Sequence, residues 1–270
     1  MQPIAVESCT ILDFPATRPR GVMSSKLRYL YRAMRYRLLV DPAELKFASE
    51  RVRPGQVAVD VGCHKGAYTY WLLRWVGADG EVIAFEPQPK QAAYLRNIQS
   101  AMRYTNVTIV PMGLSDTAGR LRMYLPTARG ATHQASFVTA KGGESACHVL
   151  DAEVTTLDAF FGLRPRGPDF LKIDVEGHEL AVLTGGRETL AKHRPTLLIE
   201  CEARHQPGRD VGDVFSFLHA LGYSGSFFRR GRRWPLADFR PAEHQPEVLA
   251  GGRPPSGYVN NFAFEHPARA

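Results

Sequence analysis

The sequence is short of cysteine and contains no long hydrophobic run. Four of its 270 residues are cysteines, and they form no C-x-x-C pair, so neither a disulfide framework nor a zinc cluster is expected. No segment approaches the roughly 18 consecutive apolar residues of a membrane span. Residues 1–15 lack the basic and apolar regions of a secretory signal. We therefore predict a cytoplasmic protein with reduced thiols and no transmembrane segment.

The composition is that of a globular protein with an excess of positive charge. Hydrophobic residues make up 44% and charged residues 23%, which argues against a disordered, collagenous or coiled-coil chain. The net charge of +7 at pH 7 allows attraction to phosphate, anionic lipid or an acidic substrate, but charge alone selects none of them. A chain of this length can bury a sizeable core.

The first 50 residues are predicted to form an extension that precedes the main domain. Residues 1–22 contain prolines and no apolar period, which is typical of an irregular segment. Ser24 is a suitable helix N-cap, and residues 42–50 indicate a second short helix. The apolar residues that recur at helical spacing between them are Leu27, Leu30, Tyr31, Met34 and Leu38. The cations that flank this stripe are Lys26, Arg28, Arg35 and Arg37.

This basic amphipathic helix has two interpretations. It can lie in a membrane interface, where cations flank an apolar face. It can instead dock on the domain with its cations in water, as surface helices usually do, and we favour this second interpretation. The chain is thus predicted to divide into a lead-in with a basic helical extension, residues 1–50, and a main domain, residues 51–267.

Predicted strands and helices alternate through most of the main domain. Strands are predicted at 56–61, 81–85, 107–110, 170–175 and 196–200, and helices at 67–76, 90–101, 179–191 and 211–221. Such alternation indicates a parallel, doubly wound α/β sheet. Residues 111–168 differ, because short β pieces at 121–124, 136–138 and 153–156 are separated by Gly-rich turns. Two further strands, 223–228 and 258–264, close the chain.

The first strand ends in a loop that is suited to binding a ligand. Asp60 is followed by Gly62 and Gly66 and then by a helix, and Glu86 ends the second strand. Glycines let the backbone approach a ligand closely. A carboxylate at position 86 can accept hydrogen bonds from ribose hydroxyl groups, as in dinucleotide-binding folds.

The loop matches neither of two common phosphate-binding patterns. A P-loop requires G-x-x-x-x-G-K-[ST] and a dinucleotide fold requires G-x-G-x-x-G, whereas this loop reads G-x-x-x-G. S-adenosylmethionine has a ribose but no phosphate, and Asp60 supplies an acceptor for its cationic amino acid end. We therefore predict S-adenosylmethionine as the ligand, with an ordinary turn as the alternative. An NAD-dependent reductase has only analogy of fold in its favour.

A third cluster follows the strand predicted at 170–175. Asp174, Glu176 and His178 lie at the edge where open α/β sheets bind ligands. If the ligand's methyl group is transferred to a hydroxyl group, a base must remove the hydroxyl proton. For that role we predict Asp174 first and His178 second, with Glu176 as a further candidate. In the competing interpretation, Glu176 or Glu179 only caps the next helix.

The same cluster raises the question of a metal ion. Together with Glu200 and Glu202, these side chains could hold magnesium through oxygen atoms. No clear ligand set is visible, so magnesium is not favoured and no metal ligand is predicted.

These motifs resemble the FkbM family of S-adenosylmethionine-dependent methyltransferases, in order from about residue 52 to residue 266. The segments that carry the resemblance are Asp60-Val61-Gly62, Lys65-Gly66-Ala67-Tyr68-Thr69, Phe85-Glu86-Pro87, Gly113-Leu114-Ser115-Asp116, Thr156-Leu157-Asp158 and Lys172-Ile173-Asp174-Val175-Glu176-Gly177. The last segment is the most specific. One departure is Cys63-His64, where many members of the family have Ala-Asn.

The resemblance implies a class I methyltransferase fold that binds S-adenosylmethionine for residues 51–267. This Rossmann-like fold has a seven-stranded, mostly parallel, doubly wound sheet whose C-terminal strand, 258–264, is antiparallel. By the same similarity, Asp60, Gly62 and Gly66 face the methionine end of the cofactor and Glu86 faces its ribose. The predicted cofactor-binding set also includes Cys63, Tyr68 and Asp174. Ser115 and Asp116 complete the set and are expected near the adenine.

The resemblance also implies O-methylation of a sugar, a glycolipid or a polyketide-type natural product. A nucleic-acid methyltransferase is one alternative, although the acidic segment 174–177 replaces a [DNS]-P-P-[YF] motif and suits a phosphate backbone poorly. A binding module that has lost the reaction is another, although the predicted site residues are intact. Residues 125–150 and 229–257 are predicted to face the acceptor, because loops carry specificity on such scaffolds.

Overall fold

The computed structural model describes residues 24–127, 135–138, 146–206, 208, 210–248 and 254–269. The predicted irregular segment, residues 1–22, lies outside the described residues, as do parts of the two predicted acceptor-facing segments. What the structure describes is an α/β fold built on one large sheet and one small sheet.

The strands follow the predicted alternation closely. Their bounds are β1 Val57–Val61, β2 Glu81–Phe85, β3 Val107–Val110, β4 Gly113–Leu114, β5 Gly119–Pro126, β6 Cys147–Thr155, β7 Phe170–Ile173, β8 Thr196–Glu200, β9 Ser224–Arg229, β10 Arg232–Pro235 and β11 Asn261–Glu265. The large sheet has the spatial order β10-β9-β11-β8-β7-β1-β2-β3. Strand β1 therefore lies in the interior of the sheet, between β2 and β7.

The predicted fold class is confirmed, with one strand more than predicted. The five strands β3, β2, β1, β7 and β8 are paired in parallel. As predicted, the C-terminal strand β11 is antiparallel to its neighbours, β8 and β9. The described part of the sheet has eight strands rather than seven. The chain turns back after β9 through left-handed residues, Arg230 and Gly231, and adds β10 at the edge.

Helices cover both faces of the sheet. Their bounds are α1 Ser25–Arg35, α2 Pro42–Arg51, α3 Ala67–Val76, α4 Pro89–Met102, α5 Leu157–Gly162, α6 Glu179–Thr184, α7 Arg187–His193, α8 Val211–Ala220 and α9 Pro241–His244. Val59 and Ile83 face one core with residues of α5 to α8, whereas Ala58 and Val82 face another with α2 and α3. Alternate strand residues thus point to opposite layers, as the strand period of two requires. No described helix has both the length and the apolar character needed to cross a membrane.

The single helix predicted at 179–191 is wrong, because Gly185 and Gly186 divide it into α6 and α7. A Cβ atom at Gly185 would collide with the backbone oxygen of Ser115. The glycine therefore lets the helix pair approach the segment after β4 more closely than a side chain would allow.

The small sheet has the order β4-β6-β5, and its β5–β6 ribbon is longer than the predicted pieces. The strand predicted at 136–138 is wrong, since Ser136 makes an isolated bridge to Tyr124. The Ser136 hydroxyl accepts a hydrogen bond from the Val138 amide at 3.0 Å and donates one to the Glu176 carbonyl at 2.7 Å. These bonds bend the chain and join the ribbon to the segment after β7.

The N-terminal helices pack against the main domain. Ser24 caps α1 as predicted, accepting a hydrogen bond from the Leu27 amide at 3.3 Å. Helix α1 docks through Tyr29 and Ala33, both buried, and a five-residue π-helical segment, Tyr36–Val40, joins it to α2. Helix α2 contributes Leu45 to the core that it shares with α3. Helix α1 therefore docks on the domain, as the favoured interpretation expects, but through Tyr29 and Ala33, so that four of the five residues of the predicted apolar stripe stay exposed. Membrane contact stays an alternative, and the boundary at residue 50 stays a prediction.

Candidate functional site

The loop after β1 passes very close to the end of β7. The Gly62 amide donates to the Phe85 carbonyl at 3.0 Å, and the Asp174 amide donates to the Val61 carbonyl at 3.0 Å. Gly62 has φ +78°, and a Cβ atom there would collide with the backbone oxygen of Asp174. The glycine therefore serves a close approach between two backbone segments, and it brings two predicted site segments together.

Asp60 is buried at the end of β1. Its Oδ2 accepts a hydrogen bond from the Thr69 hydroxyl at 2.6 Å. Burial raises the pKa of Asp60 to about 6, against the opposing influence of the Thr69 hydrogen bond and of Lys172. The carboxylate is thus held in place by α3 and is suited to a cationic ligand group.

Gly66 starts α3 in the left-handed conformation, with φ +74°. A Cβ atom at this position would come within 2.8 Å of Leu95 and 3.0 Å of Tyr29, so the loop fits tightly between α1 and α4. Cys63 and Tyr68, both buried, lie on the two sides of this turn. Burial raises the pKa of the Cys63 thiol well above its ordinary value, so this side chain is a packing group rather than a nucleophile.

Glu86 braces the same loop from the end of β2. Its Oε2 accepts from the His64 amide at 2.7 Å, and its Oε1 accepts from the Gln88 amide at 2.9 Å. Burial raises the pKa of Glu86 to about 7, although the hydrogen bonds from Gln88 and His64 oppose the rise. Each carboxylate oxygen can accept a second hydrogen bond, so the side chain remains able to bind a ribose.

Two clefts meet at these loops. The residues that characterise the apolar cleft are Phe85, Glu86, Leu114, Met123, Ala135 and Phe137. The residues that characterise the charged cleft are Arg32, Tyr36, Asp60, Lys65, Tyr68 and Lys172. Gly62, His64 and Asp174 line both clefts. The predicted residues Asp60, Cys63, Tyr68, Glu86 and Asp174 are therefore brought around two adjoining clefts at the carboxyl ends of the strands.

Asp174 is a partly exposed carboxylate at the place where the apolar and charged clefts meet. Its side chain is 37% exposed, whereas that of Lys172 is 2% exposed, and the two charged groups are 3.9 Å apart. Burial raises the pKa of Asp174, Lys172 opposes the rise, and Glu176 adds to it. The result is a carboxylate that is more basic than usual and still within reach of a ligand.

Lys172 lies at the floor of the charged cleft. Its ammonium group is 5.2 Å from the centre of the Tyr68 ring and donates to the Ile173 carbonyl at 3.3 Å. Burial alone would lower the pKa of Lys172, but the surrounding carboxylates Asp174 and Glu200 hold it above its ordinary value. A buried ammonium group is stable here because negative charges surround it.

Sequence reasoning did not identify Arg32 as a site residue. It lies on α1 and lines the charged cleft, and its buried Nη1 has no hydrogen-bond partner within the described residues. Burial and the positive charge of Arg32 lower the pKa of Lys65. The cleft thus has two cations near its α1 side and carboxylates, among them Asp60 and Asp174, toward the sheet. The helical pattern of α1 gave no signal of this, because arginine is equally common on solvated helix faces.

Glu176, a candidate base, lines the apolar cleft together with Asp174, and its role in catalysis stays a prediction. Its Oε2 lies 3.0 Å from Nδ1 of His205, and its backbone has φ +53°. The neighbouring turn is held by Glu179, whose Oε1 accepts from the Gly177 amide at 2.9 Å and whose Oε2 accepts from Gln206 at 3.0 Å. Glu179 therefore supports the turn that precedes α6, whereas the contact of Glu176 with His205 is not a helix cap.

His178 faces Ser115 instead of Asp174. The Nε2 atom of His178 and the Ser115 hydroxyl are 2.9 Å apart, and the ring packs at 5.2 Å from Phe137. Ser115 is buried and Asp116 is exposed. In the described part of the chain, none of these three polar residues lines the two clefts. Their predicted roles in catalysis and near the adenine stay predictions, while the observed contact joins α6 to the segment after β4.

Two more carboxylate groups lie near Asp174, so this region is strongly acidic. Glu202 is held by Arg204 at 2.5 Å, and Glu200 accepts from Asn260 at 2.9 Å. Among the residues that the structure describes, no group of three or more His, Cys, Asp or Glu side chains is arranged to hold a metal ion.

Comparison with known proteins gives a family. A sequence model whose description is "Methyltransferase FkbM domain" matches residues 60–224, which is more than half of the chain. None of the curated proteins matches the sequence significantly.

Three solved structures illustrate the likeness of fold. A methyltransferase FkbM from Methylobacillus flagellatus KT is 18% identical with a TM-score of 0.49, and the match covers 91% of this chain and 56% of that chain. This chain thus spans little more than half the length of that protein. An SAM-dependent O-methyltransferase from Thermotoga maritima is 16% identical, with coverage of 90% and 72% and a TM-score of 0.44. An SAM-dependent methyltransferase from Aquifex aeolicus is 15% identical, with coverage of 89% and 97% and a TM-score of 0.44.

Proposed function

This chain belongs to the FkbM methyltransferase family, and we propose that it transfers a methyl group from S-adenosylmethionine to a hydroxyl group of a sugar, a glycolipid or a polyketide-type natural product. One observation carries the proposal. Asp174, a carboxylate of raised pKa, stays accessible where the apolar and charged clefts meet. A side chain in that position can contact a ligand in either cleft.

The side chains of the two clefts fit the parts of S-adenosylmethionine. Glu86 would accept hydrogen bonds from the ribose, and Leu114 and Phe137 would contact the adenine in the apolar cleft. In the charged cleft, Arg32 would bind the methionine carboxylate, because its buried Nη1 lacks a partner within the described residues. Asp60 would accept from the ammonium group. When bound, the cofactor supplies an electrophilic methyl group on its sulfonium.

The chain itself must then deprotonate the acceptor. A hydroxyl group is a poor nucleophile while it holds its proton, and a carboxylate within hydrogen-bond distance can remove that proton as the new bond forms. Burial raises the pKa of Asp174 and so makes it a stronger base than an exposed aspartate, while the positive charge of Lys172 opposes the rise. Asp174 therefore orients the hydroxyl group and takes its proton, and Lys172 holds Asp174.

Calorimetric titration tests the cofactor assignment first. S-adenosylhomocysteine, NADH and ATP are titrated separately into the full chain. We expect S-adenosylhomocysteine to bind at least about tenfold more tightly than the other two, because the loop lacks both phosphate-binding patterns. A clear preference for NADH would overturn the assignment.

A transfer assay then tests the reaction. The protein is incubated with S-adenosylmethionine carrying a labelled methyl group and with panels of sugars, lipids and polyketides, with and without EDTA. Label in a hydroxyl-bearing acceptor supports the proposal. Cofactor binding without transfer to any panel would favour the binding module, and transfer to nucleic acid alone would contradict the proposed acceptor class. Loss of transfer in EDTA alone would make Asp174 a metal ligand instead of the base.

A further inference from the structure

The outer face of α1 and of the π-helical segment that follows it carries apolar side chains that the described part of the fold leaves exposed. Leu27 is 54% exposed, Tyr31 63%, Met34 43% and Leu38 63%. Their spacing of four, three and four residues puts them on one side of the helix. We call these four residues the outer stripe. Leu39, 76% exposed, extends it at the C-terminal end.

The docking of α1 fixes the direction in which the outer stripe points. Tyr29 and Ala33 are buried on the other side of the helix. The Trp71 indole nitrogen donates to the Ala33 carbonyl at 2.8 Å, and the Tyr29 ring meets the Tyr70 ring edge to face at 5.7 Å. Rotation that buried the stripe would break these contacts with α3, so the stripe is a fixed feature of the surface.

The charge around the outer stripe has a single sign. No acidic residue lies between Ser24 and Val40, and the cations in that segment are Lys26, Arg28, Arg32, Arg35 and Arg37. Lys26, Arg28 and Arg35 are exposed. Arg37 lies over the Trp71 ring, 4.5 Å from its centre. An apolar face flanked by cations is complementary to a surface that is apolar inside and negatively charged outside.

We propose that the outer stripe docks on an anionic lipid surface. The four apolar side chains would enter the boundary between headgroups and acyl chains, and the flanking cations would meet the headgroups. Tyr31 suits this boundary, because its ring is apolar and its hydroxyl group is polar. A second copy of the chain is a poor occupant, since two-fold pairing of the stripes would bring two strongly cationic helices together.

The docked orientation would put the candidate site beside the lipid surface. Arg32 belongs to the same helix as the outer stripe but lines the charged cleft. Helix α1 thus has one side toward the domain and the cleft and another toward the proposed membrane. The inference concerns binding of the chain to lipid, and it is tested without any methyl-transfer assay.

Vesicle flotation with the full chain tests the proposal. One set of vesicles contains only phosphatidylcholine, and the other contains phosphatidylcholine with phosphatidylglycerol. We expect binding to the anionic vesicles at least about tenfold stronger than to the neutral ones, with binding that weakens as salt is added. The triple variant Leu27→Gln/Met34→Gln/Leu38→Gln should lose at least about tenfold of the anionic binding.

Two further variants separate the outer stripe from general effects. Leu163→Gln replaces an apolar residue that is 92% exposed away from α1, and its binding should equal that of the wild type. Arg28→Gln/Arg35→Gln keeps the stripe and removes flanking charge, so its affinity should fall and its salt dependence should weaken. Circular dichroism and S-adenosylhomocysteine binding confirm that each variant is folded.

Other outcomes contradict the proposal. Equal binding of the wild type and the triple variant would show that the stripe is not the docking surface. If the wild type binds no vesicle but sediments as a dimer that the triple variant dissociates, a second copy covers the stripe. If the wild type is monomeric and binds no vesicle, another part of the chain or a protein covers it, and the lipid proposal fails.

Discussion

The two clefts that meet at Asp174 differ in how they are built. The apolar cleft is lined by residues within the matched family domain, such as Glu86 and Leu114. The charged cleft takes Arg32 and Tyr36 from the helices that precede that domain. The apolar side is suited to the parts of a nucleoside and the charged side to a zwitterion. The matched domain thus supplies only part of the candidate site, and α1 contributes Arg32 to the rest.

The largest expected effect on turnover comes from Asp174, where the two clefts meet. Asp174→Asn should lower kcat about 10²–10⁴-fold, equivalent to roughly 3–5 kcal/mol of barrier, because a positioned base is lost while shape is kept. Affinity for S-adenosylhomocysteine should change little. Turnover is measured at saturating cofactor, with Asp213→Asn, an exposed aspartate on α8, as the matched control. Near-normal turnover of Asp174→Asn would transfer the role of base to another residue.

The pH profile gives the same prediction a second test. Burial raises the pKa of Asp174 above its ordinary 3.8, so the base becomes protonated, and kcat falls, at a pH higher than that of an exposed aspartate. The acid limb of the wild-type profile should therefore lie above pH 3.8 and should be absent from the residual activity of Asp174→Asn. An identical acid limb in both proteins would assign it to a different group.

The next effect concerns the apolar cleft. Glu86→Gln should weaken S-adenosylhomocysteine by about 1.5–3 kcal/mol, since a charged acceptor for the ribose is lost. 5′-Methylthioadenosine, which keeps the ribose and lacks the amino acid end, should be weakened equally. Because the pKa of Glu86 is about 7 and the ionised form is the acceptor, wild-type affinity should fall as the pH drops below that value. Calorimetry from pH 8 to pH 6 checks this.

In the same titration, the variant should lose the decrease in affinity near pH 7 and keep only the decrease near pH 6, where Asp60 becomes protonated. Glu153→Gln, in which the replaced carboxylate is 58% exposed on β6, serves as the control. Unchanged affinity in a folded Glu86→Gln variant would remove Glu86 from the cofactor site.

A smaller expected effect on ligand affinity distinguishes the charged cleft from the apolar cleft. Arg32→Gln should weaken S-adenosylhomocysteine about tenfold, or about 1.4 kcal/mol, through loss of a charge-assisted hydrogen bond. It should leave 5′-methylthioadenosine unaffected, which distinguishes it from Glu86→Gln. Arg28→Gln on the same helix, where the arginine is exposed, is the matched control. Equal weakening of both ligands would mean that Arg32 supports the fold of the cleft and does not bind the carboxylate.

The smallest expected effect lies outside both clefts. His178→Ala should leave kcat near the wild-type value, because Nε2 contacts Ser115 at 2.9 Å and the residue lines neither cleft. The free energy of unfolding should fall by about 1 kcal/mol through loss of that hydrogen bond. Denaturant titration and the transfer assay measure the two quantities. A loss of turnover comparable to that of Asp174→Asn would restore His178 as a catalytic candidate.

The sequence predicted the parts of the site that depend on one strand and its loop. Asp60 lies near the end of β1, and Gly62 and Glu86 follow β1 and β2. The apolar runs of these strands are clear in the sequence, and parallel strands bring their ends to one edge. Arg32 could not be predicted in this way, because its place in the cleft depends on how α1 docks. The face through which α1 docks on the domain could not be predicted either. Tyr29 and Ala33 are buried, while the more apolar stripe, including Leu27 and Leu38, is exposed.

Local rules also missed features set by neighbouring segments. The helix predicted at 179–191 is continuous by periodicity, and only the approach of Ser115 explains why Gly185 interrupts it. Strand β10 exists because Arg230 and Gly231 adopt left-handed conformations, a choice that the Arg-rich sequence there did not indicate. The break at Gly185 thus depends on a contact between residues that are distant in sequence, and strand β10 depends on the conformation of a turn.

The contact between Gly62 and the backbone oxygen of Asp174 restricts how this protein can be re-engineered. A side chain at position 62 would displace the segment that carries the carboxylate, so a change made for cofactor recognition would also alter the reaction. Libraries that aim at new acceptors should therefore keep positions 62 and 174 constant. Phe137, which is proposed to contact the adenine, should be kept as well, and diversity belongs on the β5–β6 ribbon of the separate small sheet, from which Met123 reaches the apolar cleft.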